Sequence, residues 1–140
     1  RDSYWGKASR VEAENRRHVE DVIDFMELEP YRKHTVGSLS YGVQKRVEVA
    51  RALTLAPDVL LLDEPMAGMN IEEKEDMVRF IMDIQKERHI TVVLVEHDLG
   101  VVMDISDYVC VLDFGEVIGD GKPDEVAENP KVVEAYIGEE

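Results

Sequence analysis

Two short apolar runs, Val59-Leu60-Leu61-Leu62 and Thr91-Val92-Val93-Leu94-Val95, each stop abruptly in polar residues. The first ends in Asp63-Glu64-Pro65 and the second in Glu96-His97-Asp98. Between them Met77, Phe80, Ile81 and Ile84 recur at helical spacing. A short, continuous apolar run reads as a strand covered on both faces, the mark of a parallel sheet. Strand, helix, strand is then a βαβ crossover, right-handed in nearly every known case. The expected fold class is therefore α/β, a parallel sheet flanked by helices. The crossover helix carries its own start signal: Asn70 as cap, with Glu73 three residues on as capping-box partner. Acids fill its first turn and Lys86 and Arg88 its last, as the helix dipole favours.

Upstream, residues 11–28 place Val19, Val22, Ile23 and Met26 on one helical stripe, and Pro30 is expected to end it. A polar loop runs from Tyr31 to Gly37. Ser40 then stands as the cap of a second helix, with Val43, Val47, Ala50 and Leu53 on its stripe and Pro57 as its stop. Downstream, Tyr108–Leu112 and Glu116–Gly119 read as two strands turned around Phe114-Gly115. Pro123 and Pro130 suit first turns of helices, and Asn129 can cap the last. Nine acids follow from Asp113 against Lys122 and Lys131, which reads as a solvated face.

With 140 residues, 44% of them hydrophobic and 34% charged, the chain can build a core and is one domain or a piece of one. It has 16 Lys and Arg against 31 Asp and Glu, a net charge of −15. Such a surface repels phosphate backbones, so no nucleic-acid partner is expected, although a small nucleotide in a local site remains compatible. The lone Cys110 permits no internal disulfide and fits a reducing cytosol. No apolar run approaches the roughly 20 residues of a membrane span. Arg1 rather than Met opens the chain, which points to a fragment, and no signal peptide is expected.

Ligands of open parallel sheets sit at the carboxyl ends of the strands. Asp63-Glu64 stands at one such end and His97 at the next. Asp63-Glu64 also reads as a plain polar stop, and His97 as a packing or capping residue. The start of the second helix, Leu39-Ser40-Tyr41-Gly42-Val43-Gln44, adds a third element. A helix N-terminus presents backbone N–H groups and partial positive charge, which suits an anion. Ser40 adds a hydroxyl, and Gly42, lacking Cβ, lets a phosphate approach the backbone. An ordinary Ser cap with a nearby Gly has the same sequence.

Taken together, these segments resemble a known family. Leu39 to Leu53 resembles the signature motif of ABC-type ATPases, and Val59 to Pro65 their Walker B motif. Met66-Ala67-Gly68-Met69-Asn70 falls where the D-loop lies, and Val92 to Asp98 resembles the switch-histidine strand. The Tyr of Leu-Ser-Tyr-Gly, the Ala-Gly-Met-Asn D-loop, Val-Glu-His-Asp, Val111 to Gly115 and Ala135-Tyr136-Ile137-Gly138 resemble ATPase subunits of branched-chain or hydrophobic amino-acid importers.

The resemblance implies the C-terminal half of a P-loop NTPase fold of the ABC ATPase type. Residues 1–56 would be part of the helical subdomain and 57–140 part of the RecA-like core. Asp63 would hold Mg²⁺ through water, Glu64 would activate the attacking water, and His97 would sense the γ-phosphate. Ser40, Tyr41, Gly42 and Gln44 would contact ATP held mainly by a second ATPase subunit, in a homo- or heterodimer. Ala67, Gly68, Met69 and Asn70 would form the D-loop. Membrane permease subunits would be the other partners, with Tyr4 and Trp5, just upstream of the first helix, as candidate contacts. The subunit would be cytoplasmic, on the inner face of the membrane.

Two residues depart from the family pattern: Val43 replaces the usual Gln, and Asn70 the commoner Asp. The phosphate-binding loop G-x-x-x-x-G-K-[ST] is absent, since Gly6-Lys7 is followed by Ala8. The chain alone is therefore expected to be inactive and to self-associate through an uncovered sheet. An ABC ATPase for another cargo, such as urea or a lipid-linked export system, and a non-enzymatic interaction module are the alternative functions.

Overall fold

The structure is a computed structural model that describes the backbone of residues 2–137 and the side chains of residues 8–136. The chain divides into two compact units between Leu94 and Val95. The first contains α1 (Asp2–Phe25), α2 (Tyr41–Leu53), β1 (Val59–Asp63) and α3 (Ile71–Arg88), and β2 (Thr91–Val95) ends at the boundary. β1 and β2 pair as a two-stranded parallel sheet with α3 as the crossover between them.

α3 matches its sequence signals. Asn70 Oδ1 accepts from the Glu73 N–H at 2.9 Å, and Glu73 Oε2 accepts from the Asn70 N–H at 3.3 Å, closing the capping box. Met77, Phe80, Ile81 and Ile84 are all buried. Val22, Met26, Val49, Ala50 and Leu53 are also buried in this unit.

α1 differs from expectation at both ends. It begins at Asp2 and so encloses Tyr4 and Trp5, whose side chains lie outside the described residues. It ends at Phe25, before Pro30, because the chain closes a Schellman turn: Glu27 takes φ 52°, its N–H donates to Asp24 O, and the Leu28 N–H donates to Ile23 O. Leu28, just past the turn, is buried, whereas Val19 on the expected stripe is exposed. Pro30 instead sits in a short 3-10 turn, Glu29–Tyr31, and a second such turn, Val36–Ser38, breaks the loop that follows. Two arginines tie α1 to α3. Arg79 donates to both oxygens of Glu27 at 3.0 and 3.3 Å, and Arg88 pairs with Asp21 while stacking over Phe25. The Arg88 hydrogen bond holds the Asp21 carboxyl below its usual range.

The strands are the main correction. β1 alternates exposed and buried rather than being covered on both faces: Leu60 and Leu62 point inward, while Val59 is 52% and Leu61 73% exposed. Val93 of β2 is likewise exposed. Among the described residues β1 buries one face only, and β2 alternates between exposed and half-buried.

The second unit contains α4 (Leu99–Ile105), β3 (Val109–Asp113), β4 (Glu116–Gly121), α5 (Pro123–Ala127) and α6 (Pro130–Ile137). β3 and β4 form an antiparallel hairpin with a bulge at Val111/Leu112. Phe114 and Gly115, at φ 44° and 82°, make the two-residue turn whose twist suits a hairpin. Val109, Val111, Val126 and Val132 are buried, with Leu99, Val102, Met103 and Ile118 packed against them. Cys110, on the other face of β3, is exposed. Asn129 caps α6, accepting from the Lys131 N–H at 3.0 Å, and its amide donates to Ile118 O at 3.1 Å. α4 was not anticipated from the sequence. Asp98 starts it as an N-cap, accepting from the Val101 N–H at 3.3 Å.

Candidate functional site

The start of α2 is built as a helix N-terminus should be. Ser40 is extended at φ −60°, ψ 156°, and its hydroxyl accepts from the Val43 N–H at 3.4 Å. Gln44 turns its amide back onto Leu39 O at 2.9 Å, which fixes the loop entering the helix. Tyr41 is half exposed, with Lys45 Nζ 5.7 Å from its ring centre. Glu48 accepts from Lys45 at 3.1 Å and holds that ammonium above its usual range.

Residues 66–70 lie against this helix start. A side-chain carbon at Gly68 would meet Tyr41 Cε1 at 3.4 Å, so Tyr41 packs over the backbone of that loop. Gly68 itself needs glycine's freedom, at φ 76°. Two tight turns shape the loop, Ala67 N–H to Glu64 O at 3.1 Å and Met69 N–H to Met66 O at 3.2 Å. Met66 and Met69 are buried beneath it. Asn70 then opens α3 through the capping box described above.

The Glu73 carboxylate extends this arrangement in a way the sequence reading missed. Its Oε1 accepts from the Gly42 N–H at 3.0 Å, thirty-one residues away in sequence. A Cβ at Gly42 would stand 2.7 Å from that same oxygen. The close approach expected there for a phosphate is made here by a carboxylate. No local pattern signals this contact, because Glu73 at the third position of α3 already has a sufficient role as a cap.

At the carboxyl end of β1, Asp63 and Glu64 are exposed. Asp63 lines a cavity of about 210 Å³ with Lys45, Glu48, Val49 and Ala52 of α2, so the strand end and α2 are neighbours. Glu64 sits at φ 44°, a conformation that costs a non-glycine residue energy and clusters at functional positions. His97 belongs to the other compact unit, where it is exposed and immediately precedes the cap of α4.

Among the described residues no group of three or more His, Cys, Asp or Glu side chains is gathered to cage an ion. A lone exposed carboxylate such as Asp63 is nevertheless the donor that Mg²⁺ uses when water and phosphate oxygens complete its shell. The start of α2 offers a run of N–H donors with a serine hydroxyl, a set that suits a phosphate in kind, although the structure partners two of those donors internally. Among the described residues no helix is long and apolar enough to cross a membrane.

Residues 2–67 match the family described as ABC transporter, and residues 116–140 match that described as branched-chain amino acid ATP-binding cassette transporter. The chain is 38% identical over 130 residues to the high-affinity branched-chain amino acid transport ATP-binding protein BraF of Pseudomonas aeruginosa, covering 93% of this chain and 51% of that protein. It is 40% identical over 102 residues to the corresponding LivG protein of Salmonella typhimurium, covering 73% and 40% respectively. It thus spans about half the length, or less, of these relatives. Among solved structures, the ADP conformation of MJ1267, an ATP-binding cassette of an ABC transporter, superimposes with a TM-score of 0.80 at 32% identity, covering 90% of this chain and 51% of that one. CbiO1 of Clostridium perfringens, part of the ABC transporter complex cbiONQ, superimposes at 0.78 and 32% identity.

Proposed function

The chain belongs to the ABC transporter ATPases, and from that premise we propose that it is the C-terminal half of the ATP-hydrolysing subunit of an importer for branched-chain amino acids. The cargo assignment is supported by the match of residues 116–140 and by the relatives named above. One observation carries the reading of the site. Signature and D-loop are knit into one surface, Tyr41 over Gly68 and Gly42 on Glu73, beside the strand that ends in Asp63-Glu64. A helix start, a tight loop and a pair of strand-end carboxylates held side by side suit a site that a second subunit completes.

In this reading residues 1–56 belong to the helical subdomain and 57–140 to the RecA-like core. Asp63 would hold Mg²⁺, which would supply charge neutralisation of the phosphates. Glu64 orients and deprotonates the attacking water. His97 contacts the terminal phosphate. Ser40, Tyr41, Gly42 and Gln44 face a nucleotide held by a second ATPase subunit, with Gln44 acting through the Leu39 carbonyl it holds. Ala67, Gly68, Met69 and Asn70 form the D-loop beside them. Catalysis in such a site is mostly positioning and charge stabilisation. The subunit docks on permease subunits at the inner face of the membrane, with Tyr4 and Trp5 as candidate contacts.

The test compares the 140-residue chain with the full-length subunit. The 140 residues contain no G-x-x-x-x-G-K-[ST] loop, so the chain alone is expected to show no ATP turnover, while the full-length subunit hydrolyses ATP. Turnover by the purified chain that disappears in Glu64→Gln would overturn the assignment of the nucleotide cradle to another part of the protein. The exposed Val59, Leu61 and Val93 leave an apolar sheet face. The chain alone is therefore expected to self-associate at micromolar concentration. A stable monomer near 15.9 kDa by light scattering would contradict this.

A further inference from the structure

One carboxylate closes two helix starts. Glu73 Oε1 takes the Gly42 N–H of α2 at 3.0 Å, and Oε2 takes the Asn70 N–H at the head of α3 at 3.3 Å. The fit is close, since any side chain at position 42 would place its Cβ 2.7 Å from Oε1. An N–H has a single proton to donate, and two anions compete for it. Where the signature meets a nucleotide phosphate, the Glu73 carboxylate already holds the donor.

The same region provides a place for that carboxylate to go. A cavity of about 210 Å³ opens beside it, lined among others by Ser40, Gly42, Arg46, Glu73, Asp76 and Phe80. Arg46 reaches into it with its guanidinium 5.1 Å from the Phe80 ring centre, and its Nε is buried without a hydrogen-bond partner. A buried donor left unsatisfied costs stability and gains by acquiring an anion.

We propose that Glu73 is an internal counter-anion of the signature, a positioning residue that the terminal phosphate of ATP displaces from Gly42 towards Arg46 as two subunits close. The proposal rests on the reading of Ser40 and Gly42 as contacts to nucleotide. It adds a coupling. The carboxylate that leaves Gly42 also supports the cap of α3, so seating the phosphate on the signature reaches the D-loop in the same movement. It also sets a threshold, because ATP must outcompete a charge-assisted hydrogen bond before the dimer forms.

The experiment uses the full-length subunit carrying Glu64→Gln, so that ATP-bound dimers accumulate, and reads the ATP concentration for half-maximal dimerisation by light scattering. Adding Glu73→Gln, which keeps an acceptor oxygen but removes the competing charge, is expected to lower that concentration by about five- to tenfold. Nucleotide affinity of the monomer should stay unchanged, which a general loss of fold would not allow. An unchanged or raised threshold in folded protein overturns the proposal. A structure of the ATP-bound dimer without the Glu73 substitution decides the matter even if that variant fails to fold. The carboxylate is expected beyond hydrogen-bonding distance of the Gly42 nitrogen and against Arg46, and a carboxylate still on Gly42 overturns displacement. Gly42→Asp separates the two levels. If it blocks dimerisation while Glu73→Gln changes nothing, only the counter-anion role fails; if neither variant matters, the reading of the signature fails with it.

Discussion

Glu64→Gln in the full-length subunit is expected to lower ATP turnover by about 10²–10⁴-fold, the usual loss when a positioned general base is removed. Glu64 follows the last residue of β1, and its backbone is held at φ 44°. The Ala67 N–H bonds to its carbonyl at 3.1 Å, and buried Pro65 and Met66 anchor the turn below. A residue in that conformation is costly unless the surrounding structure insists on it, which is how a site aims one side chain. Gln has the same shape and needs the same backbone, so the substitution removes the base while leaving the turn intact. ATP-driven dimers should therefore persist and outlive those of the unsubstituted subunit. The check is a steady-state phosphate-release assay paired with light scattering. A rate within threefold of the parent would move the base elsewhere, and loss of both turnover and dimers would point to the turn rather than to chemistry.

What the sequence made legible was mostly local. α3 could be bounded because its acids and its apolar stripe lie within its own eighteen residues and its cap is the residue just before them. The Ser40 cap is equally local, and so is the Phe114-Gly115 turn through Gly115, which takes φ 82° readily, although Phe114 at φ 44° is not a residue type that favours that conformation. α4 starts on an equally local signal, Asp98 as its cap, but the same residue also closes the polar stop of β2, which masks the cap. The end of α1 was not readable, because Glu27 is a poor candidate for a left-handed position and only tertiary packing of Leu28 makes that turn worthwhile. Strand coverage failed for a related reason. An all-apolar run states that both faces avoid water in the working protein, and it does not state which chain supplies the cover. The Gly42–Glu73 contact lies furthest from sequence reasoning, since it depends on where two helix starts meet in space.

The second large effect is expected from Gly42→Asp, which should block ATP-driven dimerisation, raising the ATP required by more than about 100-fold, while leaving nucleotide affinity of the monomer within twofold. Like charges forced together at an interface cost several kcal/mol, which is the source of that magnitude. Two separate repulsions act. Inside the subunit, the new Cβ would stand 2.7 Å from Glu73 Oε1 and bring a second carboxylate to the Gly42 amide, so Glu73 must move. Across the dimer, the new charge would face the terminal phosphate that the helix start is proposed to receive. Ser40→Arg is a complementary variant. It removes the hydroxyl that caps Val43 and fills the same approach with bulk instead of negative charge. Equilibrium binding of a fluorescent ATP analogue to the monomer, set beside light scattering of the dimer, separates the roles. Should Gly42→Asp weaken monomer binding as much as dimerisation, the signature would be serving the nucleotide of its own subunit. Should Gly42→Asp fail and Ser40→Arg succeed, charge at the amide would not be the operative feature, and steric access to the helix start would be.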